Sequence, residues 1–299
     1  MPSSRELYDE VASAAASVVI RRYSTSFGLA SRLLAPEVRQ HVENIYAMVR
    51  IADEVVDGAA ASARVDTQGV ALQLAKLEAE CGHAVYCGYS TNLVVHAFAG
   101  TARHCGFGME LIEPFFASMR SDIEPVALTP DSFAEYIYGS AEVVGLMCLR
   151  AFLRDQPDAQ SQYARLEDGA RRLGAAFQKI NFLRDMAVDF QDLDRRYFPG
   201  VDPAALSDAQ KNSLLADIDA DLAVSAAAIA RLPANSRRAV GLAHALFAEL
   251  SARAARTPAS DLMRRRIRVP TLVKLRLAAR ALLGRPALPR RAAAAVEAR

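Results

Sequence analysis

The sequence predicts an all-α fold, and three observations carry the prediction. Alanine and leucine are abundant and Trp is absent, a composition that favours helix. No segment shows apolar and polar residues alternating with period two between turn residues, as a half-buried strand would. The strong breakers cluster between apolar segments, near Leu34 to Pro36, after Gly58, near Pro125 to Pro130, at Pro157, at Pro199 to Pro203, near Pro233 and at Pro270, where they would end helices. None of these breaks is long or polar enough to be a linker. The expectation is one domain over residues 1–285, a single bundle of eight to ten helices, followed by a disordered tail over 286–299.

Taken in order, the first helix is the N-terminal stretch MPSSRELYDEVASAAASVVIRRYS. Its acidic residues precede the apolar run and no basic region opens it, so it does not read as a signal peptide. The next clear helix starts at Pro36 and stops at Gly58, with Pro at the first position and Gly beyond the last. On its wheel Tyr46, Arg50, Asp53 and Asp57 fall within roughly 60°, continuing the stripe of Val38, Val42 and Val49. Carboxylates therefore interrupt the face that should enter the core. A buried salt-bridge cluster with Arg50 would be costly; a cavity holding water or metal removes the cost.

A later helix, GAAFQKINFLRDMAVDF (Gly174 to Phe190), repeats the pattern. Gln178, Asn181, Asp185 and Asp189 lie within roughly 80°, while apolar residues occupy nearly every other direction. A solvated helix would show the reverse. Two such helices facing each other would place four carboxylates around one cavity, a set of oxygen donors suited to magnesium against a diphosphate. A third pair at the same spacing, Asp217 and Asp221, has no Arg, Asn, Gln or Tyr on its face, and an ordinary solvated face accounts for it.

Composition excludes several classes. The formal net charge of +2, from 36 basic and 34 acidic residues, argues against nucleic acid as a partner. Cys81, Cys87, Cys105 and Cys148 show no CxxC spacing, so neither a zinc site nor a disulfide framework is expected, and the reducing cytoplasm is the simplest compartment. The five histidines are scattered and read as structural or exposed. No uninterrupted apolar run approaches the roughly 18 to 20 residues of a membrane span. The basic stretch Arg264, Arg265, Arg266, Arg268 and Lys274 fits a solvated face, a membrane-surface patch or a diphosphate contact equally well. The oligomeric state is not predicted.

Four segments in the same order, YSTSFGLASRLL (Tyr23 to Leu34), NIYAMVRIADEVVDG (Asn44 to Gly58), YIYGSAEVVGLM (Tyr136 to Met147) and GAAFQKINFLRDMAVDF, resemble the squalene and phytoene synthases, the head-to-head prenyl diphosphate synthases. The resemblance implies an isoprenoid synthase fold with a central cavity. It implies that Asp53, Asp57, Asp185 and Asp189 bind magnesium, or manganese, with Asn181 and Gln178 supporting the second site. Arg50 and Tyr46 match the arginine and tyrosine before the first motif, and Arg184 accompanies the second. Ser24, Ser26 and Phe27 match a flap that contacts diphosphate and prenyl chain, and Tyr136 matches a tyrosine near the reacting carbons. The wording is closest to phytoene synthases, implying condensation of two geranylgeranyl diphosphates through a cyclopropyl diphosphate without NADPH, and peripheral membrane contact for so apolar a product. The alternatives are a squalene or dehydrosqualene synthase using farnesyl diphosphate, a related terpene cyclase acting on one diphosphate, and a non-catalytic binder of prenyl diphosphates.

Three departures stand out. Glu142 replaces a small residue in SAEVVG, Phe247 stands near where relatives often have a tyrosine, and one extra residue between Asp189 and Tyr197 leaves Arg195 and Tyr197 without an assigned role.

Overall fold

The computed structural model describes residues 2–284 except Asp194 and Arg265, and the side chains of Ala61, Val188, Asp189, Gln191, Asp192 and Leu193 also lie outside what is described. The tail expected over 286–299, and the side chain of the expected ligand Asp189, fall among these.

Helix α1 (Ser4–Tyr23) opens with a reciprocal cap between Ser3 and Glu6. Ser24 ends it and caps α2 (Thr25–Ser31) through the Phe27 N–H at 3.0 Å. Helix α3 (Pro36–Val56) begins at its proline and ends with Asp57 as C-cap, within two residues of expectation. After the short α4 (Ala59–Ser62), α5 (Thr67–Cys87) is capped by Asp66 and α6 (Leu93–Cys105) by Asn92. Gly106 closes α6 in the left-handed region at φ 71°, where a side chain would be strained.

Helix α7 (Met109–Ser121) leads to α8 (Pro130–Ile137), which continues through a π-helical turn, Tyr138–Glu142, into α9 (Val143–Leu153). Helix α10 (Ala159–Leu193) is the longest, at 35 residues. A 3₁₀ turn at Pro203–Ala205 separates it from α11 (Asp208–Arg231), followed by α12 (Ala234–Arg256), the short α13 (Ala259–Leu262) and α14 (Thr271–Leu282). Among the described residues there is no strand.

Two large apolar cores and two smaller ones hold the described bundle. One large core centres on α3, α5, α6, α7 and α9, through Ile45, Met48, Leu74, Phe98, Phe115, Phe116 and Leu146. The other large core joins α10, α11 and α12 through Ile180, Leu183, Ile218, Leu222 and Leu250. The run Pro130–Leu153 is the one described helical stretch long and apolar enough to cross a membrane by composition, yet 56% of its most apolar 18-residue window is buried inside the protein.

The structure corrects the reading of Asp221 but not that of Asp217. Asp221 is buried and accepts hydrogen bonds from Lys179 at 2.8 Å and Arg172 at 3.1 Å, both on α10. Asp217 is exposed and also meets Lys179. The partners sit on a different helix, so the face looked unaccompanied in its own sequence.

Candidate active site

The first acidic motif occupies the last two turns of α3. Arg50 lies 3.9 Å from Asp53, pairs with Glu54, and sets its guanidinium 4.5 Å above the Tyr23 ring. The Asp53 side chain remains 36% exposed, while the protein around it strips enough hydration for burial to raise its pKa to about 7. Arg50 opposes that rise; the charges of Asp57, Asp122 and Glu54 add to it. These two facts describe a carboxylate recessed in a cleft, open to a cation on one side and poorly hydrated on the others.

The second motif lies toward the end of α10. Arg184 donates to Asp185 at 3.0 Å through Nε, and Arg266 approaches the same carboxylate at 2.6 Å. Gln178 and Asn181 are half-buried on α10. The Asn181 Oδ1 is buried and has no hydrogen-bond partner, an acceptor oxygen held ready for a donor or cation.

Two cross-links fix how the motifs stand relative to one another. The Phe27 ring, on α2, touches Tyr46 of α3 and Phe177 of α10, with centroids 6.4 and 5.8 Å away. Arg195, just beyond α10, pairs with Asp57 at the end of α3. Asp53 lies seven residues beyond Tyr46 and Asp185 eight beyond Phe177, about two helical turns in each case. Both acidic motifs are therefore at similar height beyond the Phe27 contact. Among the described residues no three acidic, histidine or cysteine side chains converge to hold a metal by themselves. A hydrated dication that also takes oxygens from a ligand would need only one or two carboxylates from each helix.

An aromatic wall adjoins the carboxylates. Phe27, Phe177 and Phe247 meet, the last two stacked at 3.9 Å. Phe247 is buried and fills the position where a tyrosine was expected. Phe182 and Tyr197 stack at 3.7 Å, beside Tyr136. Tyr136 is buried and donates to the carboxylate of Asp122 at 2.8 Å. Burial first, then the Asp122 charge, pushes its pKa well above the usual value, so the phenol keeps its proton. Ser26 is half-buried in α2, and Tyr46 is raised in pKa by burial, with Arg50 and a hydrogen bond to Ser24 working against the rise.

Arg195 is the residue that sequence reasoning missed. It is 5% exposed, donates to the Asp122 carbonyl at 2.9 Å and to the Tyr197 hydroxyl at 3.2 Å, and pairs with Asp57. Burial is the largest single influence and opposes its charge, but the hydrogen bond to Asp57 together with the charges of Tyr197, Asp57 and Asp122 outweighs burial, holding the guanidinium protonated. A loop residue carries no periodicity, and only the run of arginines before Tyr197 marked it. The basic stretch is partly resolved too: Arg266 reaches Asp185, and Lys274 donates to the Thr25 hydroxyl at 3.2 Å. Glu142 pairs with Arg171 at 2.6 Å between the π-turn and α10, away from both motifs.

A family model described as squalene/phytoene synthase matches residues 20–282. The chain is 32% identical over 188 residues to a 15-cis-phytoene synthase of Paracoccus sp., covering 60% of this chain and 58% of that protein. It is 30% identical over 194 residues to phytoene synthase 3 of Zea mays, covering 64% of this chain and 44% of the relative. The chain thus matches less than two thirds of the length of either. Among solved structures, a dehydrosqualene synthase in complex with ligand superposes with TM-score 0.75 at 21% identity, over 92% of this chain and 97% of the other. A squalene synthase from Alicyclobacillus acidocaldarius superposes with TM-score 0.69 at 20% identity, over 86% and 98%. These structures share the fold.

Proposed function

The chain belongs to the squalene/phytoene synthase family, and we propose that it condenses two prenyl diphosphates head to head, taking geranylgeranyl diphosphate to phytoene. The observation that carries this reading is the levelled pair of acidic motifs beside one aromatic wall, with Arg50, Arg184, Arg195, Arg266 and Lys274 around them. Carboxylates alone would repel a diphosphate. With cations interleaved, the same surface accepts one.

Asp53, Asp57 and Asp185, together with Asn181, would hold magnesium, an assignment supported by their all-oxygen donor set and by the unpartnered Asn181 oxygen. Bound there, magnesium would neutralise the diphosphate as it departs from the allylic carbon. The arginines and Lys274 share that charge, and Lys274 is tied to the flap that carries Ser24, Ser26 and Phe27. The wall of Phe27, Phe177, Phe182 and Phe247 keeps water from the carbocation. Tyr136, kept neutral and turned toward Asp122, presents its ring and hydroxyl oxygen beside the apolar wall without supplying a base. Joining C1 of one substrate, as its diphosphate leaves, across the double bond of the second and losing a proton to the released diphosphate would give the cyclopropyl diphosphate; loss of its own diphosphate, rearrangement and loss of a second proton would give the product.

The test is incubation with magnesium and either geranylgeranyl or farnesyl diphosphate, with and without NADPH, and identification of the hydrocarbon by mass. A C40 product without reductant is expected, reduced by about a hundredfold or more in Asp53→Asn and Asp185→Asn. A C30 product would move the substrate to farnesyl diphosphate. A cyclic product from one diphosphate, or no turnover of either, would overturn condensation.

A further inference from the structure

At the end of the bundle remote from the acidic motifs, a cavity of about 230 Å³ opens between the C-termini of α6 and α9 and the N-terminus of α10. Arg103 and His104 line it from α6, Arg150 and Arg154 from the end of α9, and Ala159 and Tyr163 from the first turns of α10. Along α10, Asp185 is about 39 Å away at 1.5 Å per residue. We propose that this cavity is a second, separate anion site, taking a free phosphate or diphosphate group or a small phosphomonoester.

Each wall contributes. Arg103 is fixed by hydrogen bonds to the carbonyls of Val85 and Tyr86 at 3.1 and 2.9 Å. Arg150 lies 3.7 Å over the Tyr163 ring and donates to Gln160 at 3.1 Å, yet its Nε–H is buried without a partner. Arg154 has Asp155 at 3.7 Å, an acid whose side chain is 69% exposed. The N-terminus of α10 adds backbone N–H groups with no intrahelical acceptor, and its first turn contains no acidic residue.

Dipole complementation accounts for Arg103, His104 and Arg150, which sit in the last turns of α6 and α9. Arg154, the C-cap of α9, is accounted for in the same way; what the α6 and α9 dipoles do not account for is that these cations share a cavity with the start of α10, where the dipole is positive and cations are disfavoured. The histidines register the resulting field. Burial lowers the pKa of His41 to about 4, and His104 and Arg154 lower it further against the opposing charge of Asp155. His104, 4.9 Å from the His41 ring, is lowered by burial and then by Arg154. Two acids stand near the rim, Asp155 and Asp158, the latter immediately before Ala159 at the start of α10, against the three arginines that line the cavity. At about 230 Å³ the cavity is below the roughly 300 Å³ at which pockets for drug-sized ligands begin, a size that suits a small anion better than a prenyl chain.

The experiment is NMR of the histidine ring protons in magnesium-free protein titrated with inorganic diphosphate, and separately with orthophosphate and glycerol phosphate. The expected result is a saturable shift of His104 and His41, with His83, His96 and His244 unmoved, and binding about tenfold weaker in Arg154→Gln and in Arg103→Gln. The three titrants distinguish free diphosphate, free phosphate and a phosphomonoester as the better ligand. Absence of a His104 shift with all three, or an undiminished shift in both folded variants, would overturn the site. Because the readout is local to these rings and needs no turnover, it fails or succeeds independently of the condensation reaction.

Discussion

Asp53 is the residue on which pH acts most directly. With its folded pKa raised from 3.8 to about 7, the fold retains a proton that the unfolded chain releases at lower pH. In the metal-free protein, the stability this residue favours is present below about pH 4 and is lost as pH rises toward 7. Asp53→Asn should therefore have a higher Tm than the parent at pH 8 in chelator, with the gap narrowing toward pH 4; an equal gap at both pH values would reject the raised pKa. A cation bound there would act the other way, since the carboxylate must be ionised to hold it. Asp53 and Asp185 were legible because a polar residue on an otherwise apolar helix violates periodicity. Arg195 was not, because its loop has no period to violate and its partners, Asp57 and Asp122, are distant in sequence.

Among the elements, α10 and α11 are joined by an ion network that sequence reading put in solvent. Asp221→Ala would leave Lys179, only 12% exposed, with the exposed Asp217 alone. A loss of about 3 kcal/mol in denaturant unfolding is expected, against less than about 1 for Asp217→Ala. Equal costs would mean that burial of Asp221 does not matter. The breaker positions were read correctly, since Pro36, Pro130 and Pro270 each stand at a helix start and their backbone chemistry is local. The π-turn was not foreseen, because it depends on contact with α7. There a Cβ on Gly139 would lie 2.2 Å from the Pro114 carbonyl oxygen and from Ser118 Oγ. Gly139→Ala should cost about 1–3 kcal/mol and displace Tyr136, whose carbonyl Ser118 holds at 3.1 Å. A crystal structure of the variant with an unchanged Tyr136 would refute the coupling.

Across the whole molecule, the four thiols report on cooperativity. Cys87 is exposed, whereas Cys81 and Cys105 are buried, and burial pushes the pKa of Cys81, Cys105 and Cys148 up to about 12. Cys87 should react with a disulfide reagent within seconds, Cys148, of intermediate exposure, more slowly, and Cys81 and Cys105 only at the rate of global unfolding; a fast reaction at Cys81 or Cys105 would point to local opening of one core. The all-α class was readable because composition and period extend over the whole chain, whereas the approach of distant segments was not. Lys274 donates to Thr25 across 249 positions, and Arg266 reaches back to Asp185. On a ribosome these partners emerge far apart in time. The flap and the first acidic helix are made more than two hundred residues before the two cations that complete their surroundings, so a nascent chain cannot close this cluster of charges until synthesis has passed Lys274.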